Sequence, residues 1–396
     1  VFYLSKDVLE KVIESRLAKK VRIFIDKEKL HPDYIPEKLP HREKEIERIA
    51  SILVPILEGI RPSNILIYGL TGTGKTAVTL FTLRGLEEKA KKLATKFKYA
   101  YVNTRKADTT YRIISEIARS IGLRIPQTGI AIAEVYRRYV EALNSWGGIH
   151  VMILDEIDYY VKRHGDDLLY KLVRINEELR HAKASLIGIT NDINFVEGLD
   201  PRVRSSLGEV EVVFPPYNAE QLEDILQERA RLAFNPLAIT PEVIKYAAAL
   251  AAREHGDARR ALDLLRTAGE IAERLEAPIV AIDHVKQALL EIEHGRIKQV
   301  ISSLPLHSKL VLKAILTIVS ERGSATTGET FNTYVKIAKE MRVEPLTQRR
   351  ISEIVSELDM LGLVNAVVVN RGRYGKTKVI KIPELVINTI TDCLNI

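Results

Sequence analysis

The stretch Gly69-Leu70-Thr71-Gly72-Thr73-Gly74-Lys75-Thr76 constrains this chain more than any other part of it. It fits the phosphate-loop pattern G-x-x-x-x-G-K-[ST], and its flanks agree. Asn64 to Tyr68 reads as a buried strand, and Ala77 to Lys98 reads as a helix. The chemistry needs that order. Glycines let the backbone curl so that N–H groups face phosphate oxygens, and the helix N-terminus adds positive potential. Lys75 is placed to reach the β- and γ-phosphates, and Thr76 to ligate Mg²⁺. The expected cradle for a nucleoside triphosphate is Thr71, Gly72, Thr73, Gly74, Lys75, Thr76 and Ala77.

A strand–loop–helix unit of this kind belongs to an α/β fold, and the surrounding sequence supplies one. Further strands are expected at 98–103, 149–154, 185–189 and 210–214, short and rich in β-branched residues. Helical stretches separate the first four, which is the βαβ signature of a parallel five-stranded sheet covered by helices on both faces. Before the core come a basic amphipathic helix over roughly Asp7 to Lys20, a Pro-punctuated extended run over 31–40, and a helix over about 42–57. Past Pro215-Pro216 the strands stop. Residues 218–299 read as four helices, with breaks near Asn235-Pro236, His255-Gly256 and Ala277-Pro278. Three domains follow from this organisation: 1–216, 217–299 and 300–396.

Composition agrees with a globular chain of that size: of 396 residues, 46% are apolar and 28% charged. No apolar run approaches the ~18 residues of a membrane span, and no signal-peptide pattern opens the sequence. Cys393 is the only cysteine, which excludes an internal disulfide and a cysteine-built zinc site. These features lead to the expectation of an intracellular protein. The net charge of +7 matters only if it is clustered.

It is clustered near the end. Residues 301–396 carry 13 Lys/Arg against 9 Asp/Glu, and Arg371, Arg373, Lys376, Lys378 and Lys381 lie in or beside one hairpin with Tyr374 at its tip. Helical runs at about 307–321, 329–341 and 347–361 precede strands at 363–369 and 377–382. This is a winged-helix pattern. Helix 347–361 would present Gln348, Arg349 and Arg350 to the major groove, with Ile351, Ile354, Val355 and Leu358 at core spacing. The wing would set Arg371, Arg373, Tyr374 and Lys376 near phosphate charge. A protein-docking domain with a solvated basic hairpin is the alternative.

Further motifs support phosphate chemistry. Val151 to Glu156 is an apolar strand ending in two carboxylates, about 80 residues after the phosphate loop. Asp155 at the strand tip would hold Mg²⁺ and Glu156 would polarise an attacking water. The next strand ends at Thr190-Asn191-Asp192, where Asn191 either contacts the γ-phosphate and water or caps a turn. Arg202 and Arg204, expected in a loop, either act as an arginine finger toward a neighbouring subunit or are exposed charges. Gly256-Asp257-Ala258-Arg259 opens a helix with Asp257 as its cap, and Arg259 in the first turn opposes the helix dipole, as a phosphate partner would allow.

In this order the motifs resemble an AAA+ ATPase, and nearly the whole chain resembles the archaeal replication-origin initiators, related to the largest origin-recognition subunit and to the Cdc-six helicase loader. The resemblance implies an AAA+ core, an all-helical lid and a C-terminal winged helix. It implies that Lys75 and Thr76 bind phosphates and Mg²⁺, that Asp155 and Glu156 are the Walker B acids, that Asn191 is sensor one and that Arg259 is sensor two. Tyr217 and Arg229 would line the ATP/ADP pocket from the lid, and the adenine would lie against Tyr34, Ile35, Pro40 and Arg42. An additional initiator helix would be entered through residues 125–132, where Gln127, Thr128 and Gly129 touch DNA or the segment is ordinary core. Relatives place the finger in a Ser-Arg pair that reads Ser205-Ser206 here, which counts against efficient hydrolysis across an interface. The implied partners are double-stranded origin DNA, a replicative helicase of the MCM type and other initiator subunits, with no membrane, in a cytoplasmic, nucleoid-associated setting.

Three functions compete: an ATP-controlled origin initiator with slow ATP hydrolysis, a clamp-loader-type ATPase, and a transcription regulator holding nucleotide as a structural ligand. The basic hairpin weighs against the second, and the intact Asp155-Glu156 pair against the third.

Overall fold

The computed structural model describes residues 22–32, 34–126, 128–370 and 376–394, with backbone only at Asn370, Lys376 and Leu385. The expected N-terminal helix over Asp7 to Lys20 lies outside the described residues. The chain divides into two compact units, Val1–Val285 and Lys286–Ile396. Among the described residues no helix is long and apolar enough to cross a membrane.

The first unit is built on five parallel strands: β1 (Ile65–Gly69), β2 (Phe97–Asn103), β3 (Ile149–Asp155), β4 (Lys183–Thr190) and β5 (Val210–Phe214), in the order β2-β3-β4-β1-β5. All five match strands expected from the sequence to within two residues. Their side chains alternate between two cores, as a period of two demands. Leu66, Met152, Leu154 and Leu186 enter one cluster, while Ile65, Ile67, Val151, Ile153 and Ile187 enter the other. Because both faces are covered, the strands read as continuous apolar runs.

Helices α1 (Glu43–Leu53) and α2 (Lys75–Lys92) cover one face. The other carries α3 (Thr110–Ser120), α4 (Ile132–Trp146), α5 (Ile157–His164), α6 (Asp167–Arg174) and α7 (Pro201–Leu207). Two expectations need correction here. The helix expected over Ala77 to Lys98 starts at Lys75, within the phosphate loop, and stops at Lys92 because Ala94 turns left-handed with φ 54° ahead of β2. The expected arginine loop at 199–207 is instead helix α7. Asp200 caps it by accepting the Arg202 N–H at 2.8 Å, and Pro201 sits at its first position, where a missing N–H costs nothing.

The lid follows as α8 (Ala219–Ala233), α9 (Pro241–Arg253), α10 (Ala258–Arg274) and α11 (Ile282–Ser303). These are four helices with the three expected breaks, the last running to Ser303. Asn218 and Gln221 form a reciprocal capping box on α8. Residues ahead of the core, including Ile23 and Phe24, are buried against the lid, where Phe24 packs on Phe234 at 4.7 Å between ring centres.

In the second unit α12 (Leu306–Arg322), α13 (Thr327–Glu340) and α14 (Gln348–Met360) pack with a three-stranded antiparallel sheet. Its strands β6 (Ala325–Thr326), β7 (Asn365–Asn370) and β8 (Lys376–Lys381) take the order β6-β8-β7, with Val367 opposite Val379. Ile351, Ile354, Val355 and Leu358 are buried as their spacing required. Strand β6 and a final helix α15 (Glu384–Leu394) were not expected.

Candidate nucleotide site and nucleic-acid interface

The phosphate loop is shaped by glycines at positions where a side chain would be strained and would displace its neighbours. Gly72 (φ 73°) and Gly74 (φ 89°) are left-handed. A Cβ on Gly72 would lie 1.7 Å from Asp257 Oδ1, and one on Gly74 would lie 2.8 Å from the Tyr217 hydroxyl oxygen. The loop's turn is closed by the Thr73 hydroxyl, which donates to the Leu70 carbonyl at 2.8 Å.

Lys75 is buried and its ammonium spends all three protons. It donates to the carbonyls of Gly69 and Leu70, each at 2.7 Å, and to Asn191 Oδ1 at 2.8 Å. Burial pulls its pKa down to about 8, with the positive charge of Arg259 adding to the effect and Asp155 opposing it. The Thr76 hydroxyl donates to Asp155 Oδ2 at 2.7 Å. The structure thus brings Lys75, Thr76, Asp155 and Asn191 together from three strand ends.

Asp155 ends the buried strand β3, and its carboxylate is fully engaged. Oδ2 also accepts the Tyr101 hydroxyl at 2.9 Å, and Oδ1 accepts the Glu156 N–H at 2.9 Å. Glu156, directly after the strand, has φ 56°, a left-handed conformation uncommon outside glycine. Thr104 holds that turn by donating to the Glu156 carbonyl at 2.7 Å, and Arg105 Nε lies 3.4 Å from Glu156 Oε2. Tyr101 and Arg105 carried no motif in the sequence. Only their place at the end of the neighbouring strand brings them in.

The lid reaches the loop through a direct backbone bond. Asp257 caps α10 by accepting the N–H groups of Arg259 at 2.8 Å and Arg260 at 3.2 Å, as its position required. The Ala258 N–H donates to the Gly72 carbonyl at 3.1 Å. Arg259 is exposed and faces the resulting cavity of about 570 Å³, as do Tyr34, Ile35, Tyr217 and Arg229. The cavity is also lined by Thr71, Gly72, Thr73, Gly74 and Ala77.

Arg42 differs from expectation. It does not line the cavity but lies buried behind the loop at 2% exposure. Its Nε donates to the Thr73 carbonyl and the Tyr217 hydroxyl, both at 2.9 Å, and Nη2 donates to the Pro215 carbonyl at 2.6 Å. The guanidinium stacks 3.8 Å from the Tyr217 ring centre, and Glu45 lies 3.4 Å away. A planar cation with several donors suits this junction of loop, core helix and lid linker. Arg202 is likewise tied down: it chelates Asp200 at 3.0 and 2.9 Å and lies over Tyr170 at 4.8 Å.

In the second unit, Thr347 caps α14 by accepting the Arg350 N–H, and Gln348, Arg349 and Arg350 are exposed at its start. Arg350 is drawn back along the helix, 2.9 Å from Glu353 and 3.2 Å from Glu357, and Arg349 lies 3.4 Å from Glu353. Thr128 and Gly129 are exposed in the bend between α3 and α4, while Ile125 and Ile130 on either side pack against the core. Gln127, Arg371, Arg373 and Tyr374 lie outside the described residues, as does the side chain of Lys376.

A five-stranded parallel sheet, a phosphate loop facing two strand-end acids, a helical lid and a winged helix define an AAA+ ATPase-type protein with a C-terminal winged-helix domain. Residues 60–194 match the model of the AAA domain, residues 223–289 that of the Cdc6 AAA+ ATPase-type lid domain, and residues 299–386 that of the CDC6 C-terminal winged helix domain. The ORC1-type DNA replication protein of Desulfurococcus amylolyticus is 61% identical over 388 residues, covering 98% of each chain. The structure of the Aeropyrum pernix ORC1 protein in complex with DNA is 52% identical, with a TM-score of 0.82 over 93% of this chain and 97% of that one. The Aeropyrum pernix ORC2 protein, solved as ADPNP-ADP complexes, shares the fold at 24% identity and a TM-score of 0.62, covering 94% of this chain and 98% of that one. The chain belongs to the ORC1-type DNA replication protein family.

Proposed function

We propose that this protein is a replication initiator that binds ATP between core and lid, grips origin duplex DNA with its winged helix, hydrolyses ATP slowly as a switch and helps recruit the replicative helicase, of the MCM type, together with other initiator subunits. The observation that carries the reading is the convergence of Lys75, Thr76, Asp155 and Asn191 within hydrogen-bond reach at one cavity.

In this reading Lys75 gives up its loop carbonyls and Asn191 for phosphate oxygens. Arg259 meets the γ-phosphate from the lid, so triphosphate and diphosphate favour different lid positions. Thr76 and Asp155 present one hydroxyl and one carboxylate oxygen to a metal ion. Such a sparse all-oxygen set suits Mg²⁺, which keeps water and phosphate ligands. When bound, Mg²⁺ would neutralise phosphate charge. Glu156, freed from Arg105, orients the attacking water. The partnered state of Arg202, with Ser205-Ser206 after it, favours slow turnover.

Gln348, Arg349 and Arg350 would enter the major groove, with the wing residues Arg371, Arg373, Tyr374 and Lys376 on the backbone and Thr128 and Gly129 as a second contact. Protection mapping on the source genome tests this reading, using the wild-type chain and Glu156→Gln with ATP or ADP. Discrete protected sites that respond to nucleotide support it. Uniform, sequence-independent protection points to the clamp-loader alternative.

A further inference from the structure

The segment ahead of the core is attached to the lid. Among the described residues, the hydrogen bonds that residues 23–34 make beyond themselves go to lid residues. The Ala233 carbonyl, at the end of α8, accepts the N–H groups of Ile25 at 2.8 Å and Asp26 at 3.1 Å, and the Asn235 N–H donates to the Ile23 carbonyl at 2.9 Å. Two backbone donors thus satisfy a helix C-terminal carbonyl. Phe24 fills a notch over Gly269, where a Cβ would lie 2.3 Å from its ring. Further along, Arg229 of α8, 7% exposed, donates from Nη1 to the Lys29 carbonyl and from Nη2 to the Tyr34 carbonyl, each at 2.8 Å. Its guanidinium also lies 4.9 Å from the Tyr34 ring centre.

Tyr34 and Ile35 line the cavity, and further along the chain Leu39 packs against the core and Arg42 bonds to the phosphate loop. Both terminal nitrogens of Arg229 are therefore used on this strap, leaving the strap's own side chains to meet what the cavity holds.

We propose that residues 23–32 with Tyr34 and Ile35 form a base-side wall carried by the lid, and that Arg229 is a positioning residue that clamps this wall so that the nucleoside end of a ligand, and not its phosphates, senses the clamp. The inference rests on the nucleotide reading above and adds a division of labour within it. Phosphates are held by the core loop, and the base by a strap that moves with the lid.

The test compares ADP with inorganic tripolyphosphate, which has no base, as ligands of the full chain by titration calorimetry with Mg²⁺. In Arg229→Gln, ADP affinity falls about tenfold or more while tripolyphosphate affinity stays within about twofold, since loss of a buried charged donor pair is felt only along the strap. Arg229→Lys recovers part of the ADP affinity. Phe24→Ala, which loosens the strap away from the cavity, produces the same selective loss on a smaller scale and decides the matter if Arg229→Gln is poorly folded. Equal losses for both ligands, or unchanged ADP affinity in Phe24→Ala, overturn the proposal. A wild-type chain that binds no ADP would instead overturn the nucleotide reading itself.

Discussion

Thr76 Oγ1 and Asp155 Oδ2 lie 2.7 Å apart, although 79 residues of sequence and a whole strand crossover separate them. The same carboxylate oxygen accepts the Tyr101 hydroxyl. Two hydroxyls therefore aim one oxygen at the loop, and a cation joining them needs little rearrangement.

Asp155→Asn is expected to leave metal-free ADP binding nearly intact and to remove most of the gain that Mg²⁺ provides. Tyr101→Phe, which loses only the supporting hydroxyl, should weaken the Mg²⁺ effect by about tenfold, the lower end for outer partners of metal ligands. ADP titrations with Mg²⁺ and with a chelator check both. An Mg²⁺ gain unchanged in Asp155→Asn would remove Asp155 from the metal site.

The depressed pKa of Lys75, about 8, sets a pH dependence. Below that value the ammonium is charged in the ligand-free protein. Above it the free protein has lost a proton that phosphate oxygens would restore, so binding takes up a proton. ADP affinity should be flat below pH 8 and fall by up to about tenfold per pH unit above it. Calorimetry in buffers of different ionisation enthalpy reads the proton uptake directly. Lys75→Arg should show no such slope between pH 7 and about 10, because arginine stays charged.

In the proposed DNA-binding reading, the acids along α14 compete with DNA for its arginines. Glu353→Gln should strengthen duplex binding modestly at low salt by releasing Arg349 and leaving Arg350 with Glu357 alone. Arg350→Ala should weaken it and reduce the slope of log affinity against log salt by about one. Anisotropy titrations across a salt series separate these outcomes from a non-binding role. The double change Arg371→Ala with Arg373→Ala should flatten the slope further, and an unchanged slope would take the wing off the DNA.

Gly256 has φ 67°, and a Cβ there would lie 2.2 Å from the Tyr217 carbonyl oxygen. Gly256→Ala is therefore expected to cost about 2 kcal/mol or more, from left-handed strain and a backbone clash together. Thermal melting checks the stability loss, and ADP titration should show weakened binding as Tyr217 shifts.

Much of this architecture was legible in the chain because the sheet is buried on both faces. Strands such as Ile149–Asp155 leave a run of apolar letters that only a buried strand or helix can use, and turn residues bound them. The phosphate loop, the Asp155-Glu156 pair and the Asp257 cap were readable because each needs particular residue types at short spacing. Contacts between distant segments were not. Nothing near Arg42 indicates that its guanidinium lies beneath the loop rather than beside the base, since its partners at Thr73, Pro215 and Tyr217 come from far along the chain. Tyr101 and Arg105 were hidden for the same reason. The short helix α7 reads as a loop in the sequence because seven residues with two arginines give little periodicity, although Asp200-Pro201 is a usable start signal.

The position of Arg42 has a consequence for dissecting the molecule. Two of its partners, Pro215 and Tyr217, belong to the passage between sheet and lid. A fragment cut just after β5 would keep every strand of the parallel sheet and the entire phosphate loop, yet strand a cation in an apolar interior with half its acceptors gone. The ATPase fold is thus not a portable cassette: removing the helices beyond it would loosen the floor under Thr73.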